Sequence, residues 1–161
     1  MVDLHHTAYL SLGSNLGDKR RHLDHAIDEI ERLIGHVIKR SAYIETPPWG
    51  FESTHTFYNA CVAVSTGLSP LELLRVTQQI EKDMGRTTKS TGDVYHDRII
   101  DIDILLYDDL SMHTPELVIP HPHLGERLFV LVPLDEIAHE KHIPGSSKSV
   151  GDMLSDLQAN A

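Results

Sequence analysis

Cysteine is almost missing from this 161-residue chain, in which Cys61 is the only one. A single cysteine excludes an internal disulfide, and this usage is typical of proteins from a reducing compartment. Because Cys61 lies within an apolar run, we expect a small buried hydrophobic residue at this position.

Long apolar runs and an excess of positive charge are missing too. No segment approaches the roughly 20 apolar residues that span a bilayer, and the first residues lack the pattern of a signal peptide. The 14 Lys and Arg against 24 Asp and Glu give a formal net charge of −10, which disfavours nonspecific binding of nucleic acid. We therefore expect a cytoplasmic monomer with no membrane or nucleic-acid partner.

The hydrophobic periodicity predicts one α+β domain over residues 1–161. The apolar spacing predicts, in chain order, strand 8–12, helix 19–34, strand 37–45, strand 57–66, helix 70–84 and a strand within 97–107. This β-α-β-β-α-β order is that of a ferredoxin-like core, in which an antiparallel sheet carries both helices on one face.

Gly35 is expected to end the first helix as a C-terminal cap. A C-terminal extension follows the core. Residues 117–122 are expected to be extended, and residues 128–138 to be helical with a break or restart at Pro133. Ser149 is expected to cap a last short helix.

The acidic strand around Asp101 and Asp103 is the most informative segment. Successive side chains of a strand point to opposite faces, so the two carboxylates share one face and Ile102 lies on the other. Neighbouring carboxylates repel each other, and a hard cation such as Mg²⁺ removes that repulsion. The pattern predicts a metal-dependent phosphoryl-transfer site, with an acidic solvated strand face as the alternative.

Polar residues near this strand extend the candidate site. Arg86, Lys89 and Arg98 flank a glycine-containing loop, and such loops commonly close over phosphates, although ordinary surface charge is an equal alternative. Gln78 and Glu81 share a face of the second helix. That face is either a solvated polar surface or a contact surface for a ligand.

Aromatic and amide side chains indicate a second part of the site. Phe57 and Phe129 are either core residues or a pair that stacks on a flat heterocycle. Asn59 lies within a strand, where a buried amide would need hydrogen-bond partners that a ligand can supply. His121 and His123 form an H-x-H pair, and because no Cys or His cluster completes a zinc site, His121 is favoured as a donor to phosphate.

Short segments that carry these residues recur in one known order and spacing. They are Tyr9–Gly17, Thr46–Gly50, Phe57–Ala60, Thr77–Glu81, Gly85–Arg86, Asp97–Leu105, Ile119–Pro122 and Arg127–Leu131. Together they resemble the 6-hydroxymethyl-7,8-dihydropterin pyrophosphokinases over about residues 8–157. The resemblance implies transfer of a diphosphate from ATP to a pterin alcohol, with release of AMP, in folate biosynthesis.

The resemblance also implies a pterin site. Asn59 would hydrogen-bond the edge of the pterin, and Phe57 and Phe129 would stack on its two faces. The residues that would offer backbone contacts to the pterin are Thr46, Pro47 and Trp49.

On the nucleotide side, the resemblance implies that Asp101 and Asp103 hold two Mg²⁺ ions that bridge the ATP phosphates. The residues implied to contact ATP are Gln78, Glu81, Ile104 and His121. The arginines implied to face phosphate groups are Arg86, Arg98 and Arg127, of which Arg86 and Arg98 join the aspartates as expected catalytic residues.

The chain departs from the family pattern in places. Thr88 stands where the family often has a second Arg, and Tyr95 where it has a loop Trp. Glu116 and Val118 replace an Arg and a Thr, and Lys89 is expected to supply part of the missing charge. The alternatives are a non-catalytic ligand-binding module on the same fold and another pterin enzyme, such as an aldolase.

Overall fold

The computed structural model describes residues 5–46, 56–85 and 99–160. The strands are β1 (His6–Ser14), β2 (Gly35–Arg40), β3 (Ile44–Thr46), β4 (Phe57–Thr66), β5 (Asp101–Tyr107), β6 (Met112–His113) and β7 (Val118–Ile119). The helices are α1 (Lys19–Leu33), α2 (Pro70–Asp83), α3 (Leu128–Ala138) and α4 (Val150–Ala159), with a 3-10 turn at Leu124–Glu126. Helices combined with antiparallel strands confirm the α+β class. Across these three ranges, no helix is long and apolar enough to cross a membrane.

One antiparallel sheet has the strand order β2-β4-β1-β5, so β5 forms an edge. The strand predicted over 37–45 is split into β2 and β3, which both pair with β4. The split occurs at Ser41, whose Oγ accepts a hydrogen bond from the Cys61 amide at 2.9 Å. A side chain thus replaces a backbone partner there, and the ladder is interrupted. β6 and β7 form a separate ribbon.

Both faces of the sheet are covered by helices. On one face, α1 and α2 bury apolar stripes that recur at helical spacing, and their buried members include Leu23, Ile27, Ile30, Leu73 and Ile80. On the other face, α3 and α4 pack over the outward residues of β4 and β5, and this core includes Cys61, Ala63, Leu105, Leu131 and Leu134. The C-terminal extension is therefore a second helical layer.

Cys61 is fully buried in this second core, as expected. Its Sγ lies 3.6 Å from the carbonyl oxygen of Val130, and burial raises the pKa of its thiol. The cysteine therefore contributes packing and has no access to solvent.

The expectation that Pro133 breaks the third helix is wrong. α3 runs without interruption from Leu128 to Ala138 with Pro133 inside it. Proline cannot donate to the carbonyl four residues earlier, which is unfavourable in an isolated helix. Here Pro133 is buried between Leu131 and Leu134 in the second core, and this packing offsets the missing hydrogen bond.

Gly35 has a different role from the predicted C-terminal cap. It does not adopt a positive φ, and it begins β2, while the cap of α1 is Ile34. A Cβ at position 35 would lie 1.9 Å from the Ser65 carbonyl oxygen of β4. Glycine is required because two backbones approach closely at the start of this strand pair. Ser149, by contrast, caps α4 as predicted.

Gly35→Ala should lower the free energy of unfolding by roughly 1–3 kcal/mol, because the added methyl group overlaps the neighbouring strand. Gly67→Ala is the matched control, since a Cβ at position 67 meets no atom within 4 Å. Urea unfolding of both variants measures the difference. Equal midpoints for the two variants would contradict the steric role of Gly35.

Candidate active site

The site is built on β5, where Asp101 and Asp103 lie on the same face, as predicted. Asp101 pairs with Gly13 of β1, and Asp103 pairs with Ser11. Both aspartates are partly exposed, while Ile102 between them is buried in the core under α1 and α2. Because the apolar side of the strand is buried, the two carboxylates project from the opposite face, two residues apart along the strand.

A row of directly paired residues runs from this carboxylate pair across the sheet. Asp101 pairs with Gly13, Gly13 with Asn59, and Asn59 with Ile44. Directly opposite residues in antiparallel strands project to the same face. Asp101 and Asn59 are thus on one surface, separated only by the strand that carries Gly13.

Gly13 is buried, and two neighbouring side chains approach it closely. An ideal Cβ at position 13 would lie 3.1 Å from Asn59 Oδ1 and 3.5 Å from Phe57 Cδ1. Glycine inside a strand typically marks a close approach by a ligand or another backbone. Without a side chain at position 13, the ring of Phe57 and the amide of Asn59 can lie close to the backbone of Gly13. These three residues form what we call the patch.

A hydrogen bond from Asn59 to Thr46 of β3 holds the Asn59 side chain in place. It is 3% exposed, and its Nδ2 donates a hydrogen bond to Thr46 Oγ1 at 2.6 Å. This bond fixes which amide atom faces Thr46 and leaves Oδ1 directed toward Gly13. The structure therefore brings together Thr46, Phe57 and Asn59, three of the residues predicted for the pterin site.

The first turn of α3 covers the same face. The contact between Cys61 Sγ and the Val130 carbonyl anchors this turn over β4, two residues from Asn59. Phe129 precedes Val130, and the Arg127 guanidinium carbon lies 5.7 Å from the centre of its ring. Arg127 is 6% exposed, so its guanidinium is buried beside the Phe129 ring.

A cleft of about 300 Å³ lies beside the edge strand. Its lining includes Gln78, Asp103, Ile104, Glu116, Val118 and His121. The backbone amide of His121 donates to the Leu105 carbonyl at 3.0 Å, which fastens the cleft wall to the edge of β5. The structure therefore brings Gln78, Ile104 and His121, predicted to contact the nucleotide, together with Asp103.

Glu81 differs from its neighbour Gln78. Gln78 is exposed, but Glu81 is 3% exposed, so of the two alternatives for this pair the solvated surface does not hold for Glu81. Its Oε2 accepts a hydrogen bond from the Ile102 amide at 2.8 Å. The helix ends soon afterwards at Asp83, before Gly85 adopts a φ of 104°.

Several predicted residues lie outside the described ranges: Pro47, Trp49, Arg86, Lys89 and Arg98. In the parts of the chain that are described, no group of three or more His, Cys, Asp or Glu side chains is arranged to hold a metal ion. His121 and His123 have ring centres 5.9 Å apart, and His123 Nδ1 pairs with Glu126 Oε2 at 2.6 Å. The H-x-H pair therefore belongs to no zinc cluster among these residues.

The carboxylate pair nevertheless fits Mg²⁺. Its donors are hard oxygens on a stiff strand, and Mg²⁺ is commonly bound by one or two carboxylates together with water and substrate phosphates. The adjoining cleft has the space to hold a phosphate chain next to Asp103.

Two features of the site were missed by the sequence reasoning. One is the close approach of Phe57 and Asn59 to Gly13, for which a glycine inside a strand was the available signal. The other is the buried hydrogen bond of Glu81, for which helical spacing gave a partial signal because Glu81 follows Thr77 by four residues.

A model of the 7,8-dihydro-6-hydroxymethylpterin-pyrophosphokinase family matches residues 9–139. The chain belongs to this family. The 2-amino-4-hydroxy-6-hydroxymethyldihydropteridine pyrophosphokinase of Porphyromonas gingivalis is 49% identical over 135 residues, which are 83% of this chain and 92% of that protein. The enzyme of the same name from Bacillus subtilis is 41% identical over 138 residues, or 85% of this chain and 81% of that protein.

Among solved structures, a crystal structure of HPPK-DHPS in complex with substrates matches with a TM-score of 0.82 at 16% identity. The match covers 98% of this chain and 44% of that chain. This pyrophosphokinase-family member therefore spans less than half of the structural relative, and the likeness at this identity concerns the fold alone.

Proposed function

We propose that this protein transfers a diphosphate from ATP to the hydroxymethyl group of 6-hydroxymethyl-7,8-dihydropterin, with release of AMP, in folate biosynthesis. The observation that carries the proposal is the position of Asp101 and Asp103 between two groups of predicted site residues. The patch of Gly13, Phe57 and Asn59 lies on one side of the pair, and the cleft along the edge of β5 lies on the other. Family membership supports the same assignment.

The patch has the chemistry of a pterin site. A pterin is flat and carries donors and acceptors on its edge, so an aromatic face and a fixed amide are suitable partners. Phe57 would stack on one face, Phe129 on the other, and Asn59 would bond the edge. Pro47, Trp49 and the Thr46 backbone remain proposed contacts.

The cleft has the chemistry of a nucleotide site. Gln78 and His121 offer polar side chains, Ile104 offers apolar surface, and Asp103 stands at the end toward the patch. Arg127, together with Arg86, Lys89 and Arg98, would balance phosphate charge. ATP in the cleft would then extend its phosphates toward a pterin alcohol on the sheet.

Asp101 and Asp103 are the proposed ligands of two Mg²⁺ ions, which would supply charge stabilisation to the attacking and leaving oxygens when bound. The chain's own contribution is positioning. The patch and the cleft would align the pterin hydroxyl with the β-phosphorus of ATP, and such alignment accounts for much of phosphoryl-transfer catalysis. The hydroxyl oxygen bonds to the β-phosphorus, and the bond between the β-phosphorus and the AMP oxygen breaks. Asp101 is the proposed acceptor of the hydroxyl proton.

The remaining assignments are proposals of the same kind. The strand order β2-β4-β1-β5, with α1 and α2 on one face, supports a ferredoxin-like βαββαβ core within a single domain of residues 1–161. We propose a cytoplasmic monomer that acts on small molecules and binds no nucleic acid. A non-catalytic module is not favoured, because such a module gives no reason for paired carboxylates beside a cleft.

Mixing the protein with ATP, Mg²⁺ and the pterin alcohol should release AMP, measured by a coupled assay. Asp103→Asn should lower kcat/KM by about 100-fold or more, because it removes a carboxylate ligand of the proposed Mg²⁺, whose positive charge would stabilise the transition state. Asp109→Asn is the control, since Asp109 lies beyond the far end of β5 and pairs with Lys141 at 2.8 Å. Release of ADP, or full activity of Asp103→Asn, would contradict the proposal.

Phe57→Leu should weaken pterin binding by about 1–3 kcal/mol, because stacking of a flat base on an aromatic ring has that value. The adjacent Tyr58→Leu is the matched control, since Tyr58 packs against the opposite core under α1 and α2. Calorimetry with a non-hydrolysable ATP analogue and Mg²⁺ present measures the pterin affinity. The stacking role requires that only the first variant loses affinity.

A further inference from the structure

The buried carboxylate of Glu81 has one feature that the proposed function does not use. Its Oε2 accepts a hydrogen bond from the Ile102 amide at 2.8 Å, and both residues are almost inaccessible to solvent. Ile102 is the residue between Asp101 and Asp103. A helix carboxylate is therefore bonded to the backbone midway between the two proposed metal ligands.

This bond gives a hydrogen-bond acceptor to a backbone amide that faces the free edge of β5. Within the described ranges, β5 pairs only with β1, so each second amide of the strand points away from this sheet. An edge amide buried without a partner would be unfavourable. Glu81 accepts from the Ile102 amide, and the amide of His121 donates to the Leu105 carbonyl farther along the same edge. The edge is thus held by α2 at the carboxylates and by the loop after β7 at the cleft.

The placement of Glu81 argues against a direct metal contact. Ile102 points into the core under α1 and α2, on the side opposite to the aspartates. Among residues 5–46, 56–85 and 99–160, the acidic side chains do not form a group of three that could hold a metal. Glu81 therefore acts on the carboxylate pair through the backbone.

We propose that Glu81 is a positioning residue, which fixes the pleat of β5 so that Asp101 and Asp103 point at one cation site. This role rests on the proposed function, because it assumes that the aspartates bind Mg²⁺. Groups that orient metal ligands typically change metal affinity by about 10–100-fold when they are replaced.

Two conservative variants distinguish a positioning role of Glu81 from a direct contact of its charge with metal or nucleotide. Glu81→Gln keeps the length of the side chain and an acceptor oxygen but loses the charge. Glu81→Asp keeps the charge but is one methylene shorter and loses the reach to Ile102. Positioning predicts that Glu81→Asp is the more impaired variant, whereas a direct contact of the charge with metal or nucleotide predicts the reverse.

The first measurement is amide exchange in metal-free protein, followed by NMR. The Ile102 amide should be protected in the unaltered chain and in Glu81→Gln, and should exchange at least about fivefold faster in Glu81→Asp. The second is the Mg²⁺ concentration that gives half-maximal binding of a non-hydrolysable ATP analogue. It should rise about tenfold or more in Glu81→Asp and less than about threefold in Glu81→Gln.

Thr77→Val is the matched control on the same face of α2. Thr77 is 1% exposed, and its Oγ1 donates to the Leu74 carbonyl at 2.8 Å within the helix. This variant removes a buried polar group that does not bond β5, so both measurements should stay at their original values.

A larger Mg²⁺ shift in Glu81→Gln than in Glu81→Asp would overturn the positioning role, as would an unchanged Ile102 exchange rate in a folded Glu81→Asp. If Glu81→Asp does not fold, a Mg²⁺ shift above threefold in Glu81→Gln overturns the role by itself, and a smaller shift supports it. If the unaltered protein binds the analogue without any need for Mg²⁺, the proposed function fails. If that need is present and Glu81→Asp leaves it unchanged, the positioning role alone fails.

Discussion

The alternation of side chains along β5 is the constraint on which the site depends. Ile102 and Ile104 are fixed in the core under α1 and α2, so the aspartates on either side of Ile102 have no freedom to turn inward. A shift of register by one residue would bury both carboxylates and expose the isoleucines, at a large cost in free energy. The hydrophobic effect that folds the sheet therefore also orients the acidic pair.

The two faces of the sheet differ in how far helices cover them. The face under α1 and α2 is closed by long apolar side chains from both helices and three strands. The opposite face is closed by α3 and α4 only over part of its length, where Cys61, Ala63 and Leu105 lie. Beyond that core the same face carries Asn59, Gly13 and Asp101 in one row. The proposed binding surface is therefore the part of this face that lies beyond the apolar core under α3 and α4.

Local patterns predicted much of this arrangement. Period-two alternation located β4 and β5 with the correct faces, and the helical stripe of Leu73, Thr77 and Ile80 located α2, because each pattern reflects burial on one side of one element. Pro133 and Gly35 were misjudged because their roles depend on distant partners, namely a helix layer that buries the proline and a neighbouring strand that touches the glycine. The burial of Glu81 could not be predicted for the same reason, since its partner at Ile102 lies 21 residues away.

The complete burial of Cys61 has a practical consequence for site-specific labelling. Because the only thiol of the chain is buried and its pKa is raised by that burial, thiol reagents have no target on the folded surface. A cysteine introduced at an exposed position would then be a unique attachment point for a fluorophore or spin label. A pair of such cysteines, one beside the patch and one beside the cleft, would report the distance between them in solution without first removing the native residue and disturbing the packing around Val130.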